Sequence, residues 1–187
     1  MYDSTTVPCS KRDCSSLFVH SEECFLEKHL TVKRSSDSKG SRMTKEIEIE
    51  FDKGGKFTAV LLEEKAPKTC KVVWDNLPLS GRIGHGYFSG KLLYLLVDTK
   101  LEELENAKSV GFLPGDLAYL TPFYGRDTPN EIAIIYGEVV VQDVCGWIPA
   151  NHFARITEGS SEDLKKVATR IRECGRENVV MRKKISQ

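Results

Sequence analysis

The stretch EIEIEFDKGGKFTAV, residues 46–60, is the part of this chain that shows most directly how it folds. Its first six residues alternate glutamate with isoleucine or phenylalanine, and a period of two is typical of a strand with one buried face. The Asp-Lys-Gly-Gly-Lys segment that follows is a hairpin signal. Residues 57–62 are apolar and partly β-branched, so we expect them to form the returning strand. The stretch therefore predicts a β-hairpin with a charged outer face.

Short apolar runs separated by glycine and proline continue from this hairpin to residue 159. Only two segments have a helical pattern. The first starts at Pro67, which suits a first-turn position, and ends before Pro78. The second runs from Ser160 to Cys174 and opens with a Ser-x-x-Asp capping box. Many short strands with one helix near each end predict a mainly β protein, namely a closed β-barrel with two capping helices.

Three further features of the sequence lead to predictions. Residues 80–90 form a glycine-rich segment that leads into a buried strand, and they do not match a phosphate-binding loop. Trp147 is expected to be a packing residue. Residues 177–185 are predicted to form a last, edge strand, because Lys and Arg suit an edge that must not pair with another chain.

The chain divides into residues 1–42, a polar extension or linker, and residues 43–187, the barrel domain with its C-terminal helix and strand. The extension is rich in Ser, Lys and Asp, with little to bury. It also contains potential zinc ligands, but their spacing fits no common zinc finger, so a zinc site is the less favoured alternative. These ligands are Cys9, Cys14, Cys24 and His29.

Composition excludes several functional classes. The 187 residues include 27 basic and 27 acidic ones, so no net field would draw the chain to nucleic acid. No apolar run is long enough for a membrane span, and the N-terminus lacks the pattern of a signal peptide. We therefore expect a cytoplasmic protein whose six cysteines are reduced. No motif calls for a cofactor, and none is expected.

The order of the motifs resembles the cyclophilin-like superfamily. Residues 57–62 followed by Ala-Pro-Lys-Thr at 66–69, with Trp74 in the helix, are similar to the opening of cyclophilins. The later half looks like an uncharacterised bacterial and archaeal cyclophilin-like group, and the stretches that suggest it are 85–94, 115–119, 131–137 and 151–156. The resemblance covers about residues 44–158 and implies a closed barrel.

The resemblance also bears on activity. Prolyl isomerases of this superfamily carry a Phe-His-Arg motif whose Arg polarises the substrate carbonyl. The corresponding residues here, 87–91, read Tyr-Phe-Ser-Gly-Lys and contain no Arg. We therefore favour binding of a small molecule, or a role in its metabolism, and leave open whether the protein is catalytic. Peptidyl-prolyl isomerase and protein-interaction module are the alternatives.

The first candidate site residue is His85, which lies among glycines that allow close approach and which can act as acid, base or ligand. Arg126 offers a planar fork for a carboxylate. We expect that Phe123 and Tyr124 could provide an aromatic wall. Tyr87, in the same stretch as His85, completes this set. Each of these residues also has a plain structural interpretation as a loop residue.

Three further candidates lie near strand ends. Glu131 would be a general base if it were desolvated. Asn151 and His152 would supply polar contacts in a loop that enters the last barrel strand. A metal set of Glu131, His152 and His85 is a less favoured alternative, and no metal is expected. The expected partner is a small molecule or a short peptide, with no nucleic acid or membrane, and a homo-oligomer is left open.

Overall fold

A computed structural model of the chain describes residues 44–121, 129–143 and 146–184. The described residues form eleven strands and two helices. The helices are α1 (Pro67–Asp75) and α2 (Ser161–Cys174). The strands are β1 (Glu46–Phe51), β2 (Lys56–Leu61), β3 (Leu79–His85), β4 (Gly90–Val97), β5 (Ala107–Lys108), β6 (Asp116–Leu120), β7 (Asn130–Val139), β8 (Gln142–Asp143), β9 (Gly146–Trp147), β10 (Ala150–Glu158) and β11 (Glu177–Lys183).

Eight of these strands close into an antiparallel barrel. Their order is β2-β1-β11-β3-β4-β7-β6-β10, and β10 pairs back onto β2, which leaves no free edge in the ring. The short β5 adds to β10 outside the ring, and β8 pairs with β9 as a separate hairpin. The predicted closed barrel with two helices is confirmed, and the hairpin of residues 46–61 is its first strand pair.

Alternating side chains of the barrel strands fill its interior. Ile47, Ile49 and Phe51 point inward with the partner-strand residue Phe57, and each is at most 2% exposed. The same period of two places Ile132 and Ile134 of β7 inside the barrel. The intervening outward residues of β4, β6 and β7 belong to a second, smaller apolar cluster, which consists of Leu92, Phe112, Ala118, Ala133, Ile135, Val141 and Ala150.

The two helices lie at opposite ends of the barrel. In α1, Trp74 lies under the ammonium group of Lys45, which immediately precedes β1. In α2, Arg170 donates a hydrogen bond to the carbonyl of Gly54, in the turn that follows β1. Both helices contribute buried side chains to the interior cluster, among them Cys70 and Val73 of α1 and four residues of α2: Leu164, Val167, Ala168 and Ile171.

The predicted capping box of α2 is confirmed, and it supports a quantitative prediction. Ser160 Oγ accepts a hydrogen bond from the Asp163 amide at 3.0 Å. Because an N-cap side chain satisfies an otherwise unpaired amide, Ser160→Ala is expected to cost about 1 kcal/mol of unfolding free energy. Chemical denaturation measures this, with Ser161→Ala in the exposed first turn as the matched control. Equal effects of the two substitutions would contradict the capping role.

Three details differ from the sequence expectations. The final strand is not an edge, because β11 pairs with both β1 and β3. Arg182 lies on the outer face of this closed wall, where it pairs with Glu50, and Lys183 lies over the ring of Trp74 in α1. The glycine-rich segment supplies β3, which its sparse side chains did not reveal. Trp147 does not pack inside the protein, since 67% of its surface is exposed.

Candidate functional site

A buried pair of polar aromatic side chains lies at the α2 end of the barrel. His85 is the last residue of β3, and Tyr136 follows Ile132 and Ile134 on the inward side of β7. His85 Nε2 lies 2.6 Å from Tyr136 Oη, and each residue is only 8% exposed. The pair therefore ends the apolar interior with a hydrogen bond between two titratable groups.

Burial keeps both members of this pair neutral. Desolvation lowers the pKa of His85 from its ordinary value, and the nearby positive charge of Arg172 lowers it further. Desolvation raises the pKa of Tyr136, and the same guanidinium acts in the opposite direction. At neutral pH the site thus contains a neutral imidazole and a neutral phenol. One of the two groups donates the hydrogen bond and the other accepts it.

The second ring nitrogen of His85 has no partner among the described residues. Nδ1 is buried and forms no hydrogen bond with any group in residues 44–121, 129–143 and 146–184. When Nδ1 carries the proton, Nε2 accepts from Tyr136 Oη and Nδ1 is an unused donor; in the other tautomer Nδ1 is an unused acceptor. Either way, Nδ1 has a hydrogen-bonding position that no described protein group fills.

An exposed aromatic turn forms the rim beside this pair. The ring of Tyr87 packs on His85 at a centroid distance of 5.1 Å, yet 72% of Tyr87 is exposed. Phe88, the next residue, is 65% exposed. Tyr87 Oη donates a 3.4 Å hydrogen bond to the carbonyl of Arg172, which joins the rim to the last turn of α2.

Hydrogen bonds hold this turn in place. Ser89 Oγ donates to the carbonyl of Gln142 at 2.8 Å and accepts from its amide at 3.1 Å. The Gln142 side chain donates to the carbonyl of Phe88 at 2.7 Å. The rim aromatics therefore stand on an anchored loop, and β9 with Trp147 pairs beside the same glutamine.

The glycines on either side of the candidate histidine serve packing. A Cβ at Gly84 would lie 3.0 Å from Nε of Arg176, whose guanidinium lies over the Tyr94 ring. A Cβ at Gly86 would lie 2.6 Å from the Leu92 side chain. Protein side chains already fill the space next to both glycines, so these glycines do not open room for a ligand beside His85.

His152 lies elsewhere, on the outer surface of the barrel wall. Its Nε2 is 3.2 Å from Asp116 Oδ1, at an angle that does not align a hydrogen bond, and its ring packs edge-on against Phe112. Arg155 Nε and Nη2 each lie 2.7 Å from the same Asp116 oxygen, and the Leu113 amide donates to the other. This cluster shares no contact with the pair at the α2 end.

Asp116 is the residue that organises this second cluster, and it was not predicted as a site residue. It is fully buried, which by itself would raise its pKa. The contacts from His152, Arg155 and the Leu113 amide outweigh that effect, so the pKa of Asp116 lies far below its ordinary value. The carboxylate is consequently charged and well compensated, as a structural ion pair is.

Asn151 is committed to holding loops together. It is fully buried; its Oδ1 accepts from the Glu105 amide, and its Nδ2 donates to Thr69 Oγ1 and to the carbonyl of Glu103. Glu105 in turn accepts the amide of Thr69 at 2.7 Å in the first turn of α1. Hydrogen bonds within the protein thus engage both ends of the Asn151 amide.

Glu131 lies near the start of β7, five residues from Tyr136, and faces outward beside Leu96 and Leu120. Burial raises the pKa of its carboxyl group, as expected for a desolvated acid. No described contact joins it to His85 or His152. Within the described ranges, no three His, Cys, Asp or Glu side chains form a group that could hold a metal ion.

The remaining candidates lie outside the described residues: Phe123, Tyr124, Arg126, Cys9, Cys14, Cys24 and His29. Of the predicted ligand-binding residues, the structure brings together His85 and Tyr87. It adds Tyr136 and Arg172, which the sequence interpretation missed. The alternation of β7 is the signal that could have placed Tyr136 inside the barrel, whereas nothing local marks Arg172.

None of the helices in the described part of the chain is both long and apolar enough to cross a membrane. Two solved structures resemble the barrel. The structure of McbB in complex with tryptophan has a TM-score of 0.59 and 20% identity, covering 75% of this chain and 45% of McbB. The solution structure of the hypothetical protein AF2241 from Archaeoglobus fulgidus has a TM-score of 0.54 and 24% identity, covering 78% of this chain and 100% of that one.

At these identities the likeness to both structures concerns the fold, and the chain spans less than half the length of McbB. No curated protein matches the sequence. A family model does match, from residue 49 to residue 182, which is well over half of the chain. The protein therefore belongs to the family described as Protein of unknown function (DUF3830).

Proposed function

We propose that this protein binds a small molecule at the α2 end of its barrel, against the His85–Tyr136 pair. The observation that carries the proposal is the buried, unpartnered Nδ1 of His85. Leaving a buried polar atom unpaired costs about 1–3 kcal/mol, and a ligand that hydrogen-bonds to it recovers that cost. The exposed ring of Tyr87 and the charge of Arg172 border the same place.

The comparison with McbB supports the class of ligand in a general way. The structure of McbB was determined in complex with tryptophan, which is a small organic molecule. We also propose that the barrel is a divergent cyclophilin-like one. The catalytic Arg of the isomerases in that superfamily has no counterpart in the turn at Phe88 and Ser89 of this chain. We therefore propose ligand binding without prolyl isomerase activity.

The other sequence candidates stay predictions and are not part of the proposed site: Phe123, Tyr124, Arg126, Glu131, Asn151 and His152. A cytoplasmic location and the polar extension of residues 1–42 also stay sequence-based proposals. The proposed partner is a small molecule, and the balanced charge of the chain favours no nucleic acid.

His85→Phe tests the site directly. We expect fragments from a small-molecule library, with L-tryptophan included, to shift the backbone amide NMR signals of residues 86–90 in the natural protein. Phenylalanine keeps the ring packing but removes both ring nitrogens, so affinity for these fragments should fall about tenfold, which corresponds to one lost hydrogen bond of about 1.4 kcal/mol.

The matched control is His152→Gln, which changes the buried histidine of the outer cluster and should leave these affinities unchanged. The proposal fails if no fragment shifts the 86–90 signals. It also fails if fragments bind His85→Phe as tightly as the natural protein.

A further inference from the structure

We infer that the ligand of the His85 site is a planar aromatic monoanion, an aromatic carboxylate; this inference rests on the function proposed above. Three separate properties of the site specify it. One surface stacks flat rings, one cation is unused, and one buried nitrogen is available as a hydrogen-bond donor.

The ring-binding surface is the outward side of Tyr87. Its inward side packs on His85 at an interplanar angle of 53°, while 72% of the residue remains in contact with solvent. Phe88, the next residue, and Trp147, which pairs with Gln142 beside the turn, are also exposed, at 65% and 67%. Because Ser89 and Gln142 anchor the backbone of the turn, Tyr87 and Phe88 project from a fixed loop, and exposed aromatic rings favour stacking of a flat ring.

The unused cation is Arg172. It is exposed, and within residues 44–121, 129–143 and 146–184 it forms no ion pair, in contrast to Arg170 two residues earlier. Its charge acts on both His85 and Tyr136, and no carboxylate acts on either of them. One guanidinium fork matches one carboxylate by two parallel hydrogen bonds.

The donor is His85 Nδ1. When Nε2 accepts from Tyr136 Oη, the proton resides on Nδ1, and that N–H has no acceptor among the residues that the structure describes. An anionic oxygen is the acceptor that such a neutral imidazole donor binds most strongly. A purely apolar ligand would leave this nitrogen buried and unpaired.

Three probe compounds of similar size separate these requirements: 2-naphthoate, its neutral analogue 2-naphthalenemethanol, and the saturated acid decahydro-2-naphthoate. Binding is followed by the backbone NMR signals of residues 86–90 in the natural protein. We expect 2-naphthoate to bind about tenfold tighter than either analogue, a difference of about 1.4 kcal/mol.

Two variants of exposed residues then assign each preference. Arg172→Met should remove the advantage of the acid over the alcohol, and Tyr87→Ser should reduce the advantage of the aromatic over the saturated acid. Arg182→Met, a charge change on β11, is the control and should change neither ratio.

The outcomes distinguish this inference from the function on which it rests. If the alcohol or the saturated acid binds as tightly as 2-naphthoate and still shifts residues 86–90, the ligand class is wrong and the binding site stands. If Arg172→Met leaves the preference for the acid intact, the anion is read elsewhere and the inference is overturned. If none of the three compounds shifts these signals but fragments of another class do, only the inference about the ligand class fails. If no compound binds there, the inference and the proposed binding function both fail.

Discussion

Replacing Arg170 by methionine is expected to lower the unfolding free energy by about 3 kcal/mol, because the substitution strands a buried carboxylate. Glu177 has a fully buried side chain, and Arg170 binds both its oxygens, at 2.9 Å and 2.6 Å. The same guanidinium donates to the carbonyl of Gly54. One side chain therefore ties α2 to the start of β11 and to the first hairpin turn.

The control for this prediction is Arg182→Met on the barrel wall. Arg182 pairs with Glu50 at 2.9 Å, but both side chains are 48% exposed, and an exposed pair contributes at most about 1 kcal/mol. Urea denaturation of both variants measures the difference. Equal losses for the two arginines would show that burial of Glu177 does not set the cost.

Asp116→Asn is expected to cost about 2–3 kcal/mol at neutral pH, since it removes the charge that Arg155 and the outer-face cluster contact. The sign of the pH dependence follows from the depressed pKa of Asp116 in the folded protein. In the unfolded chain an aspartate has a pKa of about 3.9. Its contribution to stability is therefore fully present above that value and disappears as the pH falls towards the folded-state pKa.

The stability difference between the natural protein and Asp116→Asn should thus be constant near neutral pH and shrink below about pH 4. Asp75→Asn, which removes an exposed partner of Lys71 on α1, is the comparison and should cost little at any pH. A difference for Asp116→Asn that stays the same down to acid pH would mean that packing, and not the charge, explains its effect.

The parts of the fold that the sequence predicted are those in which neighbouring residues contain the information. The alternation of residues 46–51 and the Ser160 capping box are local patterns with local causes, and both are present in the structure. The strand β3 was missed because three of its seven residues are serine or glycine, which show little alternation. Basic residues in β11 look the same in the sequence whether the strand lies in a closed wall or at the edge of a sheet.

The site was less predictable because its members meet only through strand pairing and helix packing. His85 and Tyr136 are 51 residues apart in the chain. Arg172 lies in α2, which follows both of their strands in the sequence. A histidine near glycines drew attention to His85 in the sequence, although those glycines accommodate Arg176 and Leu92. Asn151 and His152 were equally plausible in sequence, and their structural partners, Thr69, Glu105 and Asp116, are likewise distant in the chain.

NMR of the histidine ring nitrogens, titrated with 2-naphthoate and with the fragments that bind, tests the central claim most directly. The chain has four histidines, and His85→Phe identifies the signal of His85 by its disappearance. The site proposed here predicts a neutral His85 at neutral pH, with one nitrogen hydrogen-bonded before ligand is added and the Nδ1 resonance moving when it binds. A His85 that is charged at neutral pH, or an Nδ1 resonance that no bound ligand moves, would contradict it.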